Sequence, residues 1–256
     1  MELDDDMDDM DEVNDYRDPE KINGFELSEA FNSLSLLGDD PYLRMQAFNL
    51  SLVDQFIMHL EQQLQRKRFD EELMPFPETG FLSAQTQMWI FAAYEILRTW
   101  RERAKDVIKL EKNGGLKLKA DALDKNLSYL HPGRKSRVEQ LRRVIIDPKL
   151  VDGIAADLRR THILFSQLEH VRVALAKHEV SGRKNSVAFA PGYARFHRWN
   201  GSLEYEISND GTIMGTINRR DIADSLRKLS DASDPPCDDD LASFDEFMKE
   251  PPADIE

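Results

Sequence analysis

Between Pro41 and Val180 apolar side chains return at spacings of three and four, a period that only an α-helix turns into a continuous face. From Pro41 to Arg68 the series is Leu43, Ala47, Leu50, Val53, Ile57, Leu60 and Leu64. Pro75 and Pro77 mark a loop. A second helix is expected from Ser83 to Glu111, with Trp89, Ala93, Ile96, Trp100, Ala104 and Val107 on one stripe and Gly114-Gly115 as its stop. That stripe has the spacing of core packing in a bundle. Residues 116–130 carry a weaker helical pattern that ends at His131-Pro132-Gly133, and Arg134 to Ile146 carry another. Pro148 then stands where a helix can begin. The longest periodic run follows, from Leu150 to His178, on Val151, Ile154, Leu158, Phe165, Leu168, Val171 and Leu175. Helices joined by short connections argue for an antiparallel bundle over residues 41–180.

After Ser181-Gly182 the period shortens to two. Leu203, Tyr205 and Ile207 lie between Asn200-Gly201 and Asn209-Asp210-Gly211, and Ile213 and Ile217 come next. Alternation around Asn-Gly is a strong hairpin signal, so residues 181–229 are expected to form a β-meander packed on the bundle. Asn218 with Asp221 three residues later reads as a capping pair for a final helix through Ile222, Ala223, Leu226 and Leu229. The predicted class is therefore mainly α: an antiparallel helical bundle with a small C-terminal β-meander and a final helix.

Charge divides the chain differently. Residues 1–40 carry a net −13 and residues 230–256 a net −9, which leaves +8 on residues 41–229 of a chain whose total is −14. Two acidic, disordered tails around a basic centre are the expectation. Within the first of them Phe25, Leu27, Phe31, Leu34 and Leu37 form an apolar patch that suits a short helix docked on the core. In the second, Leu241, Phe244, Phe247 and Met248 punctuate the acidic run, a pattern suited to a segment that contacts a protein partner; the alternative is a solvated tail, with room to touch the chain's own basic centre.

Chemical motifs are scarce. No Gly-rich phosphate loop, Gly-x-Ser-x-Gly or HExxH occurs, and His178-Glu179 runs into Gly182. His162, His170 and His178 are eight residues apart, which on a helix offsets successive rings by about 80° and about 12 Å, so they do not converge on a metal. No metal and no cofactor is expected. The single cysteine, Cys237, excludes an internal disulfide and any CxxC site and suits a reducing, cytoplasmic setting. There is no apolar run of about 18 residues, and the MELDDDMDD start lacks the pattern of a signal peptide, so no membrane is expected as a partner.

One constellation carries candidate chemistry. In LEHVRVALAKHEV, Arg172 precedes His178 with five residues between them at the end of the last bundle helix, and AYEILR occupies residues 93–98. This arrangement resembles the HEPN superfamily of small helical bundles, whose motif is Arg-x(4–6)-His, over residues 41–180 at most. Val173, where the family usually has a polar residue, and Lys177 before the histidine depart from its pattern. The resemblance implies metal-independent cleavage of RNA, with His178 as general acid or base and Arg172 stabilising charge on the phosphate, and it implies a homodimer. The other reading of Arg172, Lys177 and His178 is that they complement the negative end of a helix dipole. Arg134, Lys135, Arg137, Arg142, Arg143, Lys177, Arg183 and Lys184 are the cations expected to meet RNA, with Arg159, Arg160, Arg195, Arg198, Arg219 and Arg220 further along. The rival function is a non-catalytic adaptor or regulator acting through protein–protein contacts.

Overall fold

The computed structural model describes residues 16–71, 76–125, 131–176, 195–209, 212–231 and 235–248. Its helices are α1 (Glu26–Ser33), α2 (Pro41–Glu71), α3 (Phe76–Lys112), α4 (Leu116–Lys125), α5 (Pro132–Ile146), α6 (Leu150–Arg160), α7 (His162–Ala176), α8 (Arg219–Arg227) and α9 (Asp238–Phe247). A three-stranded antiparallel sheet has the order β1 (Arg195–Phe196), β2 (Leu203–Asn209), β3 (Thr212–Asn218). The mainly α class and the meander follow the sequence.

The long α2–α3 hairpin is the spine. Every residue of the predicted α3 stripe, from Trp89 to Val107, is buried. α3 begins at Phe76, ahead of Pro77: proline in a first turn lacks only an N–H that has no intrahelical partner anyway, so it starts the helix instead of marking a loop before it. α6 and α7 pack on α3, α1 lies against α2 and α8, α4 packs on α5, and the sheet leans on α7. One apolar core runs through all of them.

One expectation is corrected here. The helix from Leu150 to His178 is broken at Thr161. Arg101, on α3, donates from Nη1 to Leu158 O (2.9 Å), the carbonyl that His162 N–H would use in an unbroken helix. The same nitrogen donates to Thr161 Oγ1 (2.6 Å), and that hydroxyl back-bonds to Asp157 O (2.8 Å). The apolar patch ahead of Pro41 is a short helix docked on the core, as its pattern suits, so the folded region begins well before that residue. Leu27, Phe31, Leu34 and Leu37 lie in the core, and the turn after α1 is held by three long-range side chains. Trp100 Nε1 donates to Ser35 O (2.7 Å), Gln140 Nε2 donates to Leu36 O (2.6 Å), and Asp157 Oδ2 accepts from Ser35 N–H (2.8 Å). Asp40 then caps α2, its Oδ1 accepting from the N–H groups of Tyr42 and Leu43.

The Asn200-Gly201 turn seats the sheet on α2. Gly201 has φ +69°, and a Cβ there would stand 2.5 Å from Glu61 O and 3.0 Å from Gln65 Cβ. Gln65 Nε2 donates to Arg198 O (2.6 Å) beside it. Gly201→Ala is therefore expected to lower the unfolding free energy by about 1–3 kcal/mol, because it combines a strained φ with a backbone clash. A urea midpoint unchanged from wild type would show that the turn does not rest on α2.

Candidate functional site

Arg172 projects from α7 onto α3. Its guanidinium lies 5.2 Å from the centroid of the Tyr94 ring, Tyr94 stacks on Phe165 (5.4 Å, 18°), and the Arg101 guanidinium closes the far side at 4.8 Å from the Phe165 centroid. Two cations thus cap a stacked aromatic pair, which is a packing motif between α3 and α7. Burial pulls Arg101 down to about 10, which still leaves it charged at neutral pH. His178, Lys177, Arg183 and Lys184 lie outside the described residues, so Arg172 is the member of the proposed catalytic pair whose place is known.

Five of the cations expected to meet RNA sit on α5. Arg137 reaches Asp106 (3.1 Å) and Arg103 O, Arg142 pairs with Asp124, and Arg143 pairs with Asp39. Arg134 and Lys135 are exposed. Arg137, Arg142 and Arg143 are thus engaged with the chain's own carboxylates.

Arg219 and Arg220, grouped with the basic surface on sequence, are instead fully buried. Arg219 donates from Nε and Nη2 to Glu61 Oε1 and Oε2 (2.8 and 2.6 Å) and from Nη1 to Asp54, and it lies 5.4 Å from the Trp89 ring. Arg227 joins Asp54 to Asp224 (2.6 Å), and Arg220 pairs with Asp224 (3.2 Å) and donates to Arg17 O. Three arginines meet three carboxylates, so the buried charge is balanced. Burial pushes the Glu61 carboxyl up against the pull of Arg219, while Arg219, which burial lowers, is raised on balance by Glu61 and Asp54. The two-pronged contact decides for an ionised pair. Asp54 and Glu61 are seven residues apart on the inner face of α2, so the network fixes α8 against that helix.

The predicted capping pair is the outer edge of this network. Asn218 Oδ1 accepts from Asp221 N–H (2.9 Å) and Asp221 returns the contact, closing the box. Tyr16 OH donates to Asp221 Oδ1 (2.6 Å) and is pushed up to about 12 by burial and by that acceptor. A raised phenol pKa favours the folded state below the unfolded value of about 10, and the contribution is lost as pH rises from there through 12. The stability difference between wild type and Tyr16→Phe should shrink across that window, and near-UV absorbance should show one late-ionising tyrosine fewer in the variant, Tyr94 and Tyr205 also being raised by burial. Equal differences on both sides of the window would show that the hydroxyl does not hold the cap.

A feature that the first reading of α2 missed lies on its other side. Tyr42, Met45, Phe48, Leu52 and Phe56 form a second apolar stripe and are 42–55 % exposed. On a helix these five span about 120°, opposite the buried set that includes Leu43, Ala47, Leu50 and Ile57, and extend about 21 Å. Phe25 stacks on Phe48 (6.0 Å), and Phe81 meets Phe56 edge-on (6.3 Å), widening the patch. Arg44 is the one Lys, Arg, Asp or Glu among the exposed residues from 41 to 60.

At the other end of the chain α9 is a formed helix. Cys237 and Asp240 close a capping box, with Asp238, Asp239 and Asp240 in the first turn, where the helix dipole favours anions. Leu241 and Phe244 are half-buried, Met248 packs against the core, and Phe247 is exposed. In this structure the acidic run touches the chain's own basic centre, through Arg159 and His162.

Among the described residues no group of three metal-ligating side chains occurs, and no helix is long and apolar enough to cross a membrane. These features define a mainly α protein with a buried ionic junction and an exposed apolar helix face. No protein-family model matches the chain, and neither a curated protein nor a solved structure matches it.

Proposed function

We propose that the protein is a non-catalytic adaptor that works through protein–protein contacts, and that the outer stripe of α2 is its contact face. The stripe carries the reading. Five large apolar residues in a row on one helix are more than scattered surface hydrophobics, and a contiguous patch of this kind marks an interaction site. Aromatic residues and methionine are the types enriched at the centres of interfaces. The one-per-turn spacing and the near absence of charge suit the apolar face of a partner helix, laid along α2 as helices pack in a core.

The RNA-directed reading draws less support. Arg137, Arg142 and Arg143 would have to exchange internal carboxylates for phosphates, and Arg172 is seated on Tyr94. The test is a photo-reactive residue placed at Leu52 in the full chain inside its own cells, with one at Leu118, 78 % exposed on α4, as control. The expected result is a discrete protein adduct from position 52 alone that survives ribonuclease. An RNA adduct, or equal adducts from both positions, would overturn the assignment.

A further inference from the structure

The α6–α7 break has a consequence on the protein surface. Arg159 lies in the last turn of α6 and His162 begins α7, so the interruption at Thr161 leaves a cation and an imidazole flanking one shoulder. α9 lies against it. Arg159 pairs with Asp238 and donates from Nε to Pro236 O (3.2 Å), and His162 Nε2 contacts Asp245 Oδ1 (2.8 Å). Asp238 and Asp245 are seven residues apart, so they stand on one side of α9 about 10 Å from each other and reach both flanks of the break. Leu241, Phe244 and Met248 follow the same i, i+3, i+7 face, and Met248 meets the core. Yet no residue of α9 is buried, and its two polar anchors, the Arg159–Asp238 ion pair and the His162–Asp245 hydrogen bond, are of the partly exposed kind that hold weakly. Only seven residues separate the 3₁₀ turn after α8 from Asp238, so the tether keeps α9 at a high local concentration beside the shoulder.

We propose that the shoulder at the α6–α7 break is a docking site for an acidic helix with apolar residues at i, i+3 and i+7, and that α9 is its tethered, displaceable occupant. A partner segment of the same chemistry competes with α9 for the site, and α9 leaves when it wins. The experiment uses the full chain and its Asp238→Lys/Asp245→Lys variant, with a fluorescent peptide of residues 235–249 as the trans probe. Loss of these two anchors should speed amide exchange across 241–247 by about tenfold, with exchange in α3 unchanged. The peptide should bind the variant at least about tenfold more tightly than wild type, because the tethered competitor is gone. Adding Arg159→Glu to the variant should abolish that binding. Unchanged exchange in 241–247 would overturn the proposal, as would a peptide that binds wild type and variant alike or binds neither.

Discussion

Arg219→Met should lower the unfolding free energy by about 3–5 kcal/mol, the range for removing one partner of a buried ion pair, and it should do so without creating a large cavity. Its guanidinium, fully buried, is held by Glu61 and Asp54, themselves almost wholly shielded from water. Methionine keeps most of the volume but leaves Glu61 charged in an apolar setting with no opposite charge in contact. Asp54 keeps Arg227, so the damage falls on Glu61. Adding Glu61→Met removes the stranded charge while Asp54, Arg227, Asp224 and Arg220 remain matched. The double variant should therefore regain much of the loss, a non-additivity that identifies charge imbalance, not packing, as the cause. Removing Arg142 from its half-exposed pair with Asp124 should cost only about 0–1 kcal/mol. Urea midpoints decide the matter. A loss below about 1 kcal/mol for Arg219→Met would mean that water reaches Glu61 and the junction is not dry.

What could be read in advance follows the range over which each cause acts. The α3 stripe was legible because one helix face meets one core. The Asn218–Asp221 box was legible because capping joins residues three apart. The break at Thr161 was not, since its cause is Arg101, sixty residues earlier in the chain. Charge grouped residues 1–40 as a tail, and only the apolar patch within them pointed to the part that docks: Leu27, Phe31, Leu34 and Leu37 enter the core, where Trp100, Gln140 and Asp157 hold the backbone that follows α1. Arg219 was grouped with the surface cations, because a sequence gives the sign of a charge and not the carboxylates that fold around it. Asp54 and Glu61 had offered a hint, being acids at heptad spacing on the apolar side of α2. For the candidate site, Arg172 was singled out for chemistry and lies on an aromatic stack, a setting its spacing to His178 does not announce, while the second stripe of α2 went unread because the first already accounted for a buried helix.

That second stripe gives the other large effect. Met45→Asp with Leu52→Asp puts two carboxylates in the middle of the patch, one turn on either side of Asn49. Both residues are about half exposed and neither lies in the core, so the folded chain should lose little, about 0.5 kcal/mol at each site. Association is different. A partner helix laid on the stripe would bury both carboxylates against apolar side chains without a cation to receive them, since the exposed residues of 41–60 offer Arg44 alone. Central contacts of an interface cost about 2–4 kcal/mol each when removed, so the pair should weaken binding by at least about a hundredfold. The adduct formed from a photo-reactive Phe48 position should disappear in this variant while its urea midpoint stays within experimental scatter of wild type. A variant that keeps the adduct would place the contact elsewhere, and one that loses both adduct and stability would show that the stripe supports the fold instead of facing a partner.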